Sequence, residues 1–193
     1  MTYGNRMLTM KTLRAGAVVA AAALAAGTAG PAAADGGVRW PAPSDPSAGA
    51  RRAGLPMLST EGTVLHHHAH LDVRVHGRAV TVPAGIGIDE ARHRVSPLHT
   101  HDASGVIHLE SPVRRTFTLG QFFTEWGVPL SRTRLGGLRA DARHTLGVYV
   151  NGRRVTGDPA AVPLRQHDEV AVTYGRAGRT PHVPASYRFA PGL

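Results

Sequence analysis

Cysteine is absent from all 193 residues, and that absence removes several readings at once. No disulfide can staple the fold, even in an oxidising compartment. A zinc site of the cysteine type cannot form, and no thiol follows the N-terminal apolar run to carry a lipid. Met57 is the only methionine beyond Met10, so soft capture of Cu(I) is disfavoured. Lysine occurs once, at Lys11, and aromatic residues make up 5%. No arginine run is interleaved with aromatics, so the net charge of +9 does not read as a nucleic-acid surface. Part of that charge sits on Arg6, Lys11 and Arg14, and the rest would suit an anionic cell-envelope component. His-Glu-x-x-His, Gly-x-Ser-x-Gly and a phosphate-binding glycine loop are all missing.

The longest apolar stretch, Ala15 to Ala26, falls short of the roughly 20 residues that span a bilayer. With the basic residues before it and Ala32-Ala33-Ala34 after it, the stretch reads as a Sec-type signal peptide over residues 1–34. Cleavage is expected after Ala34, which would leave a secreted or extracytoplasmic chain with no membrane span. A retained anchor is the alternative, and Met10 is an alternative start. Residues 35–60 are rich in Pro, Ala, Gly and Ser and read as a disordered linker. A single β-rich domain is expected over 61–176, with a proline-containing tail over 177–193 that packs in part through Tyr187, Phe189 and Leu193.

Periodicity places the elements of that domain. Leu71, Val73 and Val75 alternate with polar residues, Gly77 sits at a turn, and Val80 and Val82 return, which predicts a hairpin. Leu146, Val148 and Val150 lead into Asn151-Gly152, the favoured two-residue hairpin turn. Further strands are expected at Val170 to Tyr174 and at Val106 to Leu109. Leu119, Phe122, Phe123 and Trp126 form one apolar helical stripe, with Thr118 and Gln121 suited to a capping box and Gly127 to the stop. The expected fold class is α+β: a mostly antiparallel sheet with one main helix packed across it, β-grasp-like. Tyr149-Val150-Asn151-Gly152 with His167-Asp168-Glu169-Val170 is similar to the end of ubiquitin-like sulfur-carrier domains. The C-terminal Gly-Gly through which those domains act is missing, so only the fold hint carries over.

What the chain has in place of thiols is imidazole, with 12 histidines. If His66 to His76 is extended, His66, His68, His70 and Asp72 share the face opposite Leu71, Val73 and Val75. His67 has core parity and is the weakest candidate of that run. His99 and His101 repeat the alternate spacing in a turn-like segment, followed by Asp102, and His108 shares a face with Glu110. Neutral imidazole binds divalent transition metals directly. The proposed ligands are therefore His68, His70, His99 and His101, with His108 next, and the metal is expected to be zinc or copper. The bland alternative is a solvated polar face that happens to be rich in histidine. His76, His93, His144 and His182 are isolated and read as incidental, whereas His167 could join the cluster in space. Cupin spacing fails because Glu110 lies too far from His101. The glycine-aromatic lead-in and disulfide of copper-zinc superoxide dismutases are lacking.

Three functions stay open. The first is an exported metal-binding domain for sequestration, delivery or sensing. The second is a metalloenzyme that adds Asp102 or Glu110 as acid-base group. The third is an envelope interaction module without metal. Through Leu98-His99-Thr100-His101-Asp102, Ile107-His108-Leu109-Glu110-Ser111-Pro112 and Phe117-Thr118-Leu119-Gly120-Gln121-Phe122-Phe123, the chain resembles a family of secreted or membrane-anchored proteins of actinobacteria and related bacteria. The resemblance runs from about His68 to Gly175, with an echo at Ser186-Tyr187 and Pro191-Gly192-Leu193. It implies an extracytoplasmic setting and carries no established activity. Relatives of that kind often bear cysteines near Leu135-Gly136-Gly137, where this chain has none, so a disulfide or cysteine ligand there cannot operate here.

Overall fold

The central strand, β1 (Leu65–Val75), is long enough to pair differently along its two halves. Its first half runs antiparallel to β4 (Val106–Ser111), and its last residues run antiparallel to β2 (Arg78–Val80) along the same edge. The opposite edge pairs in parallel with β7 (Glu169–Arg176). With β3 (Leu98–His99), β5 (His144–Val150) and β6 (Arg153–Arg154), these strands make a seven-stranded sheet ordered β6-β5-β7-β1-β4-β3, with β2 beside β1. The computed structural model describes Met1 and residues 37–193, so the proposed signal segment and its cleavage point lie outside the described residues. No helix among the described residues is long and apolar enough to cross a membrane.

Both predicted hairpins form, and each turn takes the left-handed backbone that its sequence suits. His76 and Gly77 have φ of 53° and 82°, and Asn151 and Gly152 have 52° and 76°. Two successive positive φ angles give the type I′ geometry that matches strand twist. The protein is thus mixed α/β, with one main sheet of mostly antiparallel strands.

Helix α2 (Leu119–Trp126) starts where the capping box was expected. The Gln121 amide donates to Thr118 Oγ1 at 3.3 Å, and the Thr118 amide donates to Gln121 Oε1 at 3.1 Å. Gly127, at φ 79°, ends it. The stripe Leu119, Phe122, Phe123 and Trp126 is buried in one core with Leu71, Val73, Ile107, Leu109, Val170 and Val172. Each such side chain contributes on the order of 1.5–3 kcal/mol by leaving water.

The segment read as a linker differs from expectation. Residues 46–52 form helix α1 (Pro46–Arg52), which Asp45 caps by accepting from the Ala48 amide at 2.8 Å. Ala50 and Leu55 join the core, and Trp40 meets Trp126 edge-on at 5.9 Å. The reason lies in size. The helix is short, and it packs through Gly49 and Ala50 rather than an apolar stripe, so no hydrophobic period marks it. A Cβ on Gly49 would lie 2.6 Å from the Glu125 carbonyl oxygen, so this helix contact requires glycine. Glu125 of α2 is fully buried. Burial pushes its carboxyl up to about 8, against the lowering pull of the nearby Ser96 hydroxyl. In the tail, Tyr187 stacks on His70 at 3.7 Å and Phe189 on His167 at 4.6 Å.

Candidate metal centre

Strand register assembles the histidines. In β1 and β4, His68 lies opposite His108 and His66 opposite Glu110. In β3 and β4, His99 also lies opposite His108. Directly opposed residues share a face with Cβ atoms about 4.5–5.5 Å apart. His68, His108 and His99 therefore form one row across three strands, and His66 with Glu110 forms the next. The His108 ring centroid is 4.6 Å from that of His68 and 5.1 Å from that of His99.

Thr100 fixes the approach of His101 to this row. It is fully buried, its amide donates to the Ile86 carbonyl at 3.1 Å, and its hydroxyl donates to the Pro83 carbonyl at 2.8 Å. The flanking rings of His99 and His101 then meet, with their Nε2 atoms 3.1 Å apart. Glu61 closes the group from the segment before β1. Its Oε1 lies 3.3 Å from His101 Nε2 and 3.7 Å from His99 Nε2. Gly62 allows that approach, because a Cβ there would fall 2.1 Å from the Ser111 carbonyl carbon.

These three donor atoms form a triangle with edges of 3.1, 3.3 and 3.7 Å. Tetrahedral zinc with Zn–N bonds of 2.0–2.1 Å demands edges of about 3.3 Å. Protonation favours the same use. His99 Nδ1–H donates to the Ser96 carbonyl at 2.9 Å, which leaves Nε2 as a bare lone pair facing the group. Burial holds the His99 pKa well below the ordinary histidine value, so the ring is neutral at pH 7. His108, with His99 and His101, offers a third imidazole within 4.8 Å.

On the inner side, His66 and His68 approach Glu110 Oε1 at 3.5 and 3.8 Å through Nε2. His108 Nδ1–H donates to the same oxygen at 3.0 Å. Burial would raise the Glu110 carboxyl, but the His108 hydrogen bond and the neighbouring histidines outweigh it and keep the group ionised. His68 is 1% exposed, and burial is the main cause that lowers its pKa to about 4. Among the described residues, neither of its ring nitrogens has a hydrogen-bond partner, and nor has Glu110 Oε2. Buried polar atoms left in that state are uncommon and costly, and a cation is one way to satisfy them.

The expected ligands divide. His68, His99, His101 and His108 come together, but His70 is turned to another use. Its Nδ1 lies 2.6 Å from Glu169 Oε2 and its Nε2–H donates to the Ser104 carbonyl at 2.9 Å. Burial alone would lower its pKa, but the bond to Glu169 and that carboxylate's charge raise it. Tyr187 covers the ring, so His70 is buried and paired with Glu169 away from the row, although with Asp72 and Glu169 it forms a small donor group of its own. Asp102 is exposed and accepts from the Ser104 amide at 2.8 Å, an ordinary turn contact. His167 faces the tail, with its Nε2 3.0 Å from Leu193 O and 2.8 Å from the Gln166 amide nitrogen.

Sequence reasoning missed Glu61 and left His66 out of the ligand set. Strand parity already marked His66. Nothing local marks Glu61, which reaches the site only through the packing of Gly62. Glu61 and His101, each about half exposed, line a surface cavity of about 430 Å³, so the donor group opens to solvent on one flank. A larger cavity of about 830 Å³, lined by Arg74, Arg154, Arg176 and Arg179, lies toward the far end of β1. Compared with known protein families, curated proteins and solved structures, the chain finds no match.

Proposed function

We propose that this protein is an exported binding domain for a divalent transition metal, zinc or copper, acting in sequestration, delivery or sensing. The observation that carries the reading is the buried His68, without a hydrogen-bond partner among the described residues, beside a donor triangle of tetrahedral size. Imidazoles and carboxylates without any sulfur suit Zn(II) and Cu(II) over Cu(I). The open flank at Glu61 and His101 supplies the entry path that loading and release require.

Export rests on the N-terminal pattern of residues 6–34. A β-grasp-like topology is the reading that the strand order β4-β1-β7-β5-β6 supports, with β1 parallel to β7 and α2 between β4 and β5. The enzyme alternative has less support. Asp102 is held in a turn, and Glu110 lies among the donors, placed to bind a metal rather than to move a proton. The test is elemental analysis of tag-free protein beside a His99→Ala/His101→Ala double variant. About one or more equivalents of metal in the wild type and a marked loss in the variant support the reading. Equal content in both removes this pair from the site, and no metal in either removes the function.

A further inference from the structure

We infer that the cluster is built for two cations bridged by the Glu110 carboxylate, an inference that rests on the metal-binding reading and specifies it. The donor atoms fall into two sets on either side of that side chain. Glu110 Oε1 is 3.5 Å from His66 Nε2 and 3.8 Å from His68 Nε2. Glu110 Oε2 is 4.0 Å from His99 Nε2, and His99 also meets Glu61 and His101. One carboxylate thus presents a different oxygen to each set, which is how a carboxylate bridges a metal pair.

A single ion cannot satisfy both sets. An outer ion has mutually close donors in His99 Nε2, His101 Nε2 and Glu61 Oε1, and Glu110 joins His99 and Glu61 in a donor group within 4.8 Å. That outer ion leaves His66 and His68 over, and with Glu110, whose Oε1 also accepts from His108 Nδ1–H, they form a donor group within 4.8 Å. His68 is 1% exposed and, among the described residues, has no hydrogen-bond partner at either ring nitrogen, so burial and unmet bonding point to a second ion at the inner position. Its donor edges of 3.5 and 3.8 Å are a few tenths of an ångström from the 3.3 Å or so of a tetrahedral site. His108, whose ring contacts those of both His68 and His101, stands between the two positions. Metal pairs served by a shared site sit about 3.5–4 Å apart.

Each position has its own exposed histidine. The outer one meets solvent at Glu61 and His101, and the inner one meets it at His66 while His68 and Glu110 back it from the interior.

The experiment is zinc stoichiometry of tag-free protein, measured by equilibrium dialysis and elemental analysis, on wild type, His66→Ala, a His66→Ala/His68→Leu double variant and a Glu61→Gln/His101→Ala double variant. Two equivalents in the wild type, falling to one in either double variant, support the pair. His66 is exposed, so the His66→Ala chain is expected to fold and to weaken the second equivalent at least tenfold even if the inner double variant does not fold. One equivalent in the wild type, unchanged by His66→Ala, overturns the pair and leaves the metal reading standing. Two equivalents that survive His66→Ala at full affinity place the second ion elsewhere and also overturn it. No bound zinc in the wild type defeats both. Loading with Cu(II) gives an independent readout: an exchange-coupled signal in electron paramagnetic resonance supports a bridged pair, and two isolated copper spectra contradict it.

Discussion

Acid should act on the metal-free domain through His68, and the size of the effect follows from the structure. The ring is buried and its pKa lies near 4, against about 6.5 in an unfolded chain. The folded state therefore binds fewer protons than the unfolded state between those values. Stability from this group is complete above pH 6.5 and is lost as pH falls from 6.5 to 4. At about 1.4 kcal/mol per pH unit, the loss is about 3 kcal/mol. The perturbation is His68→Leu, which cannot titrate at this position. Urea denaturation in the presence of a chelator, from pH 7.5 to pH 4, gives the stability curve of each protein. The other histidines and the carboxylates are present in both, so their contributions largely cancel in the difference. The wild type should lose about 3 kcal/mol more than the variant over that window. Parallel curves would refute the claim that His68 is buried neutral and ready to donate a lone pair.

Three further outcomes follow from neighbouring parts of the structure. Glu125→Gln should stabilise the protein above pH 8, because the carboxyl, raised to about 8 by burial, costs up to about 5 kcal/mol as pH rises from 4.5 to 8; pH-dependent thermal denaturation reads the difference. His70→Ala should lower stability by about 3–5 kcal/mol by stranding the buried Glu169 carboxylate, yet leave metal content unchanged in elemental analysis. Gly62→Ala should weaken metal binding about 10–100-fold in a competition titration, because the added Cβ collides with Ser111 and displaces Glu61 from His99 and His101.

Much of the fold was legible because its signals are local. Alternation along Leu71 to Val75, the Asn151-Gly152 turn and the Thr118–Gln121 capping box each depend on residues near one another in the chain, and each forms as read. Helix α1 was not legible, since a helix that packs through Gly49 and Ala50 leaves no hydrophobic period. The metal site divides in the same way. Parity placed His66, His68 and His70 on one face, but register decides which of them meet. His68 lies opposite His108, whereas His70 lies opposite Val106 on one side and Glu169 on the other, and so leaves the cluster for an ion pair. Glu61 enters through tertiary packing alone, which no spacing in the sequence encodes.

The most direct test is a crystal structure of zinc-loaded protein with an anomalous difference map at the zinc edge. The account predicts a peak bonded to His99 Nε2, His101 Nε2 and Glu61 Oε1 at about 2.0–2.2 Å. Crystals carrying full-occupancy zinc elsewhere, with no peak among these three atoms, would contradict it.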